Sequence, residues 1–145
     1  MSRRLSALVI GNAAYETVAE LKNPANDAED VAEQLEASGF SVIQEADCNH
    51  AEMDRALRRF KRELDKSDVG LFFFAGHGMQ IEGENYLAAV DTDASDEVEA
   101  KHSSLSLNRV IEVMEKAKCA TSIIILDACR DNPFAQSMKR VATRS

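Results

Sequence analysis

Two apolar runs of strand length, Phe72-Phe73-Phe74-Ala75 and Ile123-Ile124-Ile125-Leu126, leave this chain few ways to fold. Such runs are apolar at every position, so they read as strands buried on both faces. Each stops at a chemically capable side chain. The first runs into His77, set between Gly76 and Gly78, and the second into Cys129, with Asp127 two positions before it and Arg130 directly after. If the two strands lie parallel in one sheet, His77 and Cys129 emerge on the same edge. That is the edge at which open α/β sheets bind ligands.

The rest of the chain supplies the alternation that such a sheet needs. Leu5 to Ile10 reads as a short strand closed by Gly11-Asn12, and Ala25 to Ser38 as a helix with Ala28, Val31, Ala32 and Leu35 on one face. Gly39 sits where a helix cap is expected, and Phe40 to Ala46 reads as the next strand. Asn49 with Glu52 forms a capping box before a stripe of Met53, Ala56, Leu57, Phe60 and Leu64. The opposite face carries Arg55, Arg58, Arg59, Lys61 and Arg62 among Glu52, Asp54, Glu63 and Asp65, the pattern of a solvated helix face. Val69 to Ala75 is a strand, Met79 to Val90 a small hairpin or an irregular excursion, and Asp91 to Lys101 an acidic loop. Leu105 to Lys118 reads as a helix and Thr121 to Leu126 as the last strand. This order predicts a mostly parallel sheet with helices on both faces, joined by right-handed crossovers.

At 145 residues the chain is the size of one domain, and 45% hydrophobic with 29% charged residues is ordinary for a globular protein. The formal net charge of −8 argues against a nucleic-acid binder and against an anionic membrane surface, since both need basic surface. Cys48, Cys119 and Cys129 are odd in number and widely spaced, so neither a disulfide framework nor a zinc finger follows. A reduced, cytoplasmic setting is the simpler expectation. An apolar segment of signal-peptide or transmembrane length is absent from the sequence.

A thiol beside an imidazole is a nucleophile with its base. Free cysteine has a pKa of about 8.5, so thiolate is scarce at neutral pH without help from its surroundings. His77 suits the roles of base and acid. Gly76 and Gly78 allow close backbone approach, and the Gly78 and Cys129 amides suit an oxyanion hole. One such donor is typically worth about 3–4 kcal/mol in the transition state. No third side chain that would orient the imidazole stands out in the sequence; a backbone carbonyl could serve.

Cys129 follows His77 by about 50 positions within an Ala-Cys-Arg core, which resembles the caspase signature. The wider pattern is similar to the paracaspase and bacterial orthocaspase branch of the caspase-like cysteine peptidases. It is carried by Ala7 to Tyr15, Leu21 to Ala28, Phe73 to Gly78, Asn85 to Leu87, Val90-Asp91, and Leu126 to Phe134. The resemblance implies a caspase-haemoglobinase-like three-layer α/β sandwich with His77 and Cys129 as the catalytic dyad, acting through a thioester acyl-enzyme. Asp127 and Asp131 stand where the animal signature has glutamine and glycine. In paracaspases and metacaspases acidic residues line the S1 pocket, and cleavage follows arginine or lysine. By that likeness Asp27 and Asp127 are S1 residues, and carboxylates there would hold a guanidinium by charge-assisted hydrogen bonds.

The family also implies a small subunit that adds strands beside the cysteine-bearing strand. Residues 1–134 accordingly read as the catalytic large-subunit domain and 135–145 as a flexible linker toward that subunit, missing here. Lys139, Arg140 and Arg144 are candidate self-cleavage positions. The isolated piece is expected to be weakly active or inactive, and an exposed sheet edge would be a pairing liability. Expected partners are protein or peptide substrates with a basic P1 residue and the small subunit.

Other motifs carry less. The stretch Asp91 to Glu97 begins like a calcium loop but lacks the glycine and glutamate that an EF-hand places at its sixth and twelfth positions. It reads as a solvated loop, although calcium activates many of the related metacaspases, and no metal or cofactor is expected. Gly11-Asn12 lacks the rest of a dinucleotide fingerprint. His50 and His102 read as surface residues, and Cys48 and Cys119 as structural. Two other readings stand beside the peptidase. One is a non-catalytic caspase-like scaffold; the other is a flavodoxin-like receiver domain, which would leave Gly-His-Gly unexplained.

Overall fold

The computed structural model describes residues 3–16 and 20–129. Its elements run β1 (Leu5–Gly11), α1 (Pro24–Ala37), β2 (Phe40–Ala46), α2 (His50–Leu64), β3 (Val69–Ile81), β4 (Glu84–Ala88), α3 (Glu97–His102), β5 (Ser104–Ser106), α4 (Leu107–Lys116) and β6 (Thr121–Cys129). Four strands are parallel in the order β2-β1-β3-β6, and β4 and β5 extend the sheet antiparallel from the far end of β3. One register row, Ala46–Gly11–Ala75–Asp127, crosses all four parallel strands near their carboxyl ends.

Strand alternation sorts the core into two faces. Ala7, Val9, Leu71, Phe73 and Ala75 meet Ala28 and Ala32 of α1 on one side. Leu8, Ile10, Phe72 and Phe74 meet α2 and α4 on the other, through Met53, Leu57, Phe60, Leu64, Val110 and Met114. The result is a three-layer sandwich. The order of the strands accounts for the split. The chain leaves β1 toward β2 and then returns past β1 to β3, and right-handed crossovers in opposite directions put α1 and α2 on opposite faces. The carboxyl ends of β1 and β3 therefore form the switch point of the sheet, the place at which open α/β sheets bind ligands.

Local signals account for the elements. Asn49 and Glu52 form the expected capping box, with the Glu52 amide donating to Asn49 Oδ1 at 2.8 Å and the Asn49 amide to Glu52 Oε1 at 2.9 Å. The five apolar residues of the α2 stripe are all buried. The basic residues on its other face are exposed, as a solvated face requires.

Several expectations need correction. β6, expected as a strand buried on both faces and ending at Leu126, runs on to Cys129 and leaves Ile123, Ile125 and Leu126 exposed, because β3 is its only strand partner among the described residues. β3 does not end at Ala75; it runs on to Ile81, so His77 lies within the strand, where its partners change from β1 and β6 to β4. Of the two forms expected for Met79 to Val90, the hairpin is the one adopted: β3 pairs with β4 up to Ala88 across a turn at Glu82-Gly83, where the left-handed φ of 81° at Gly83 suits the turn. The acidic loop contains α3, capped where Asp96 Oδ1 accepts from the Glu99 amide, with Ala100 buried beneath the hairpin. Leu105 belongs to β5 opposite Leu87 rather than to the following helix, and the pairing with β4 buries it. The linker expected at 135–145 lies outside the described residues.

Candidate active site

His77 is 3% exposed and sits at the carboxyl edge of the sheet. Its register partner across the parallel β3–β6 pair is Cys129. Neighbouring strands lie about 4.8 Å apart, so register alone brings the two backbones into adjacency. Gly78 comes next, the first residue of β3 to pair with β4, opposite Leu87. A Cβ at Gly78 would meet the Cβ of Ala128 at 3.0 Å, so a glycine lets the backbone that follows the histidine close against the cysteine strand.

The imidazole has a neighbour that sequence reasoning did not single out. Tyr15, in the loop after β1, packs its ring 4.6 Å from that of His77, centroid to centroid, at a tilt of 57°. Its hydroxyl accepts from the His77 amide at 2.8 Å and donates to the Ala88 carbonyl at 3.3 Å. Gly76 makes room for it. A Cβ there would stand 2.5 Å from the Tyr15 hydroxyl and 2.8 Å from the Phe74 ring, and φ is +157°. Tyr15 belongs to the Ala7–Tyr15 motif, but nothing in its spacing from His77 could assign it this contact.

The loop bearing Tyr15 is itself tied down. Asp47 Oδ1 accepts from the Ala13 and Ala14 amides at 2.8 and 3.0 Å. Buried Asn12 accepts from the Cys48 amide at 2.8 Å and donates to the same Ala88 carbonyl at 3.1 Å. The loops after β1 and β2 and the last residue of β4 are thus tied together next to Tyr15.

The two acidic candidates lie at this edge. Asp127 occupies the register row of Ala75, two residues before Cys129, and is exposed. Asp27 is half-buried in the first turn of α1, next to Ala28, which packs with Ala75 on that face of the sheet. Asp127 belongs to the same face through its pairing with Ala75. Lys139, Arg140 and Arg144 lie outside the described residues.

The other cysteines are placed for packing. Cys48 is buried, and burial, followed by the Glu45, Glu52 and Asp47 carboxylates, pushes its thiol up to about 12. The Cys119 thiol donates to the Thr121 carbonyl at 3.0 Å, near the opposite end of β6. The acids of the 91–97 loop serve their own surroundings. Asp91 accepts from the His50 amide, Asp93 from the Ser95 amide, and Asp96 caps α3. Among the described residues no group of three or more His, Cys, Asp or Glu is arranged to hold a metal ion, and no helix is long and apolar enough to cross a membrane.

Comparison with known proteins gives a consistent result. The model of the family described as Caspase domain matches residues 4–144. The human mucosa-associated lymphoid tissue lymphoma translocation protein 1 is 30% identical over 124 residues, covering 86% of this chain and 15% of that protein. Its mouse homolog is also 30% identical over 124 residues, with 14% of its length covered. The chain thus spans a small part of the length of these relatives. Among solved structures, the Drosophila initiator caspase Dronc superposes with a TM-score of 0.67 at 12% identity, covering 86% of this chain and 48% of that one. That likeness concerns the fold.

Proposed function

The chain belongs to the caspase-domain family, in its paracaspase branch, and from that premise we propose that it is the catalytic part of a cysteine endopeptidase that cleaves after arginine or lysine. The observation that carries this reading is the register pairing of Cys129 with His77 at the carboxyl edge of the sheet.

In the proposed reaction the Cys129 thiol gives its proton to His77 and the sulfur attacks the scissile carbonyl. The Gly78 and Cys129 amides donate to the oxyanion that forms. The imidazolium protonates the leaving amine as the C–N bond breaks, which leaves a thioester acyl-enzyme. His77 then takes a proton from water, the hydroxide attacks the thioester, and the acid departs as the thiol is restored. Thiol, imidazole and amide donors suffice for this sequence, so no cofactor enters it.

Specificity rests on Asp27 and Asp127, a pair of carboxylates at one edge and on one face, suited to a guanidinium or ammonium group. Residues 1–134 would form the large-subunit domain, and 135–145, with Lys139, Arg140 and Arg144, the processed linker. A small subunit has a surface to cover. Ile123, Ile125 and Leu126 of β6 are 38%, 44% and 39% exposed. They lie on both faces of a strand that pairs only with β3 among the described residues. Apolar side chains exposed together on one strand mark an interaction surface.

The test uses the complete protease and peptides with Arg, Lys or Asp at P1. Cleavage after Arg or Lys, lost in Cys129→Ala, is expected. Cleavage only after Asp, or full activity in Cys129→Ala, overturns the assignment. No labelling by a cysteine-directed peptide inhibitor would favour the scaffold reading instead.

A further inference from the structure

We infer that Tyr15 is a positioning residue for the catalytic histidine, setting the imidazole of His77 through its backbone and its ring together. The inference rests on the proposed peptidase reading, because it assigns Tyr15 a part in presenting that base.

Backbone geometry supplies the first reason. At His77 the strand β3 passes from parallel pairing with β6 to antiparallel pairing with β4. The His77 amide at this changeover is held by a side chain, the Tyr15 hydroxyl, at 2.8 Å. The same hydroxyl donates to the Ala88 carbonyl at the end of β4. One phenol thus ties the amide of the base to the strand that flanks it. A buried hydroxyl using its proton and a lone pair in this way has little freedom to move.

Side-chain geometry supplies the second. The tilted ring contact at 4.6 Å restricts rotation of the imidazole about its side-chain bonds. Holding the imidazole in one orientation serves the proton transfers of the proposed reaction, so it raises the rate of the chemical step rather than the grip on substrate.

Sequence choices around the tyrosine supply the third. Gly76 leaves space for the hydroxyl that no other residue would leave. Asp47 takes up a left-handed φ of 52° while its carboxylate holds the Ala13 and Ala14 amides, fixing the loop just before Tyr15. Three strand ends are thus built around the placement of one ring.

The test compares Tyr15→Phe and Tyr15→Leu in the full-length protease. Tyr15→Phe keeps the ring and loses both hydrogen bonds. It is expected to lower kcat about tenfold, with KM for an Arg or Lys peptide within about twofold. Tyr15→Leu removes the ring as well and is expected to lower kcat further. Loss of folded protein would also lower apparent kcat at unchanged KM, so kcat is referred to titrated active sites, and the fall that remains reports the chemical step. Amide hydrogen exchange at His77, measured in a Cys129→Ala background, reads the tie without any turnover. Tyr15→Phe should speed exchange at His77 and leave Phe72 as it was. Unchanged exchange at His77 overturns the inference whether or not the protein is a peptidase. Faster exchange with unchanged kcat overturns it as well, since the tie would then exist without serving the base. A wild-type protein that cleaves nothing would fail the peptidase reading, with the inference falling alongside it as a statement about catalysis.

Discussion

Cys129 and His77 are direct register partners on adjacent parallel strands, although about 50 residues separate them in the chain. In a parallel pair the register fixes how far each strand reaches, so the thiol-bearing and imidazole-bearing residues come level at the carboxyl edge without any loop having to bring them together. Positions carried by strands are held more firmly than positions carried by loops, and a nucleophile and its base need that.

Replacing either partner should abolish turnover while leaving the fold. Cys129→Ala and His77→Ala are each expected to lower kcat by at least about 10⁴-fold on Arg or Lys peptides in the complete protease. Circular dichroism should show the same secondary structure as the parent. Residual cleavage within about tenfold of the parent in either variant would remove that residue from the mechanism.

The acidic pair should act on substrate choice. Asp27→Asn or Asp127→Asn removes one charged acceptor, and a hydrogen bond to a charged group is worth about 1.5–3 kcal/mol. Either change should lower kcat/KM for P1 arginine by about 10- to 100-fold. Peptides lacking a basic P1 residue should be affected far less. Equal losses on both kinds of peptide would assign these residues to structure instead.

Gly76→Ala should destabilise the protein. The new methyl would press on the Tyr15 hydroxyl and the Phe74 ring in a backbone conformation with φ of +157°. Overpacking of this kind typically costs about 1–3 kcal/mol. Urea unfolding should give that loss for Gly76→Ala, and less when Tyr15→Phe is also present, because the hydroxyl that the methyl strikes is then gone.

Cys48 should make the fold weaker in alkali. Its thiol is raised from 9.0 to about 12, first by burial and then by Glu45, Glu52 and Asp47. Above about pH 9 the unfolded chain loses this proton while the folded chain keeps it. Stability is therefore fully present below pH 9 and declines as pH rises toward 12, by on the order of 1 kcal/mol at pH 10. Urea unfolding at pH 7 and pH 10 should show a smaller alkaline loss in Cys48→Ala than in the parent. At pH 8, alkylation of the native protein should spare Cys48.

Much of the scaffold was legible because its causes are local. The Asn49–Glu52 capping box and the Met53–Leu64 stripe are properties of a single helix, readable from spacing alone. The bounds of β2 at Phe40 and Ala46 follow from its composition and the glycine before it. Elements whose existence depends on distant partners were not legible. Ser104-Leu105-Ser106 is too short to announce a strand and becomes one by lying against β4. Gly76 reads as a strand end, yet β3 continues through it because β4 folds back to supply new partners.

The candidate site divides in the same way. His77, Gly78, Cys129, Asp27 and Asp127 can be picked out from the sequence because each stands next to a strand or helix signal within a recurring motif. Their level along the sheet, and the contact of Tyr15 with the imidazole, belong to the tertiary structure. Tyr15 and His77 are joined by packing between a loop after β1 and the middle of β3, with no periodicity to link them. Local chain stereochemistry writes caps, stripes and strands into sequence. A hydrogen bond between distant residues is decided only when the sheet has assembled and Gly76 has left space for the hydroxyl that makes it.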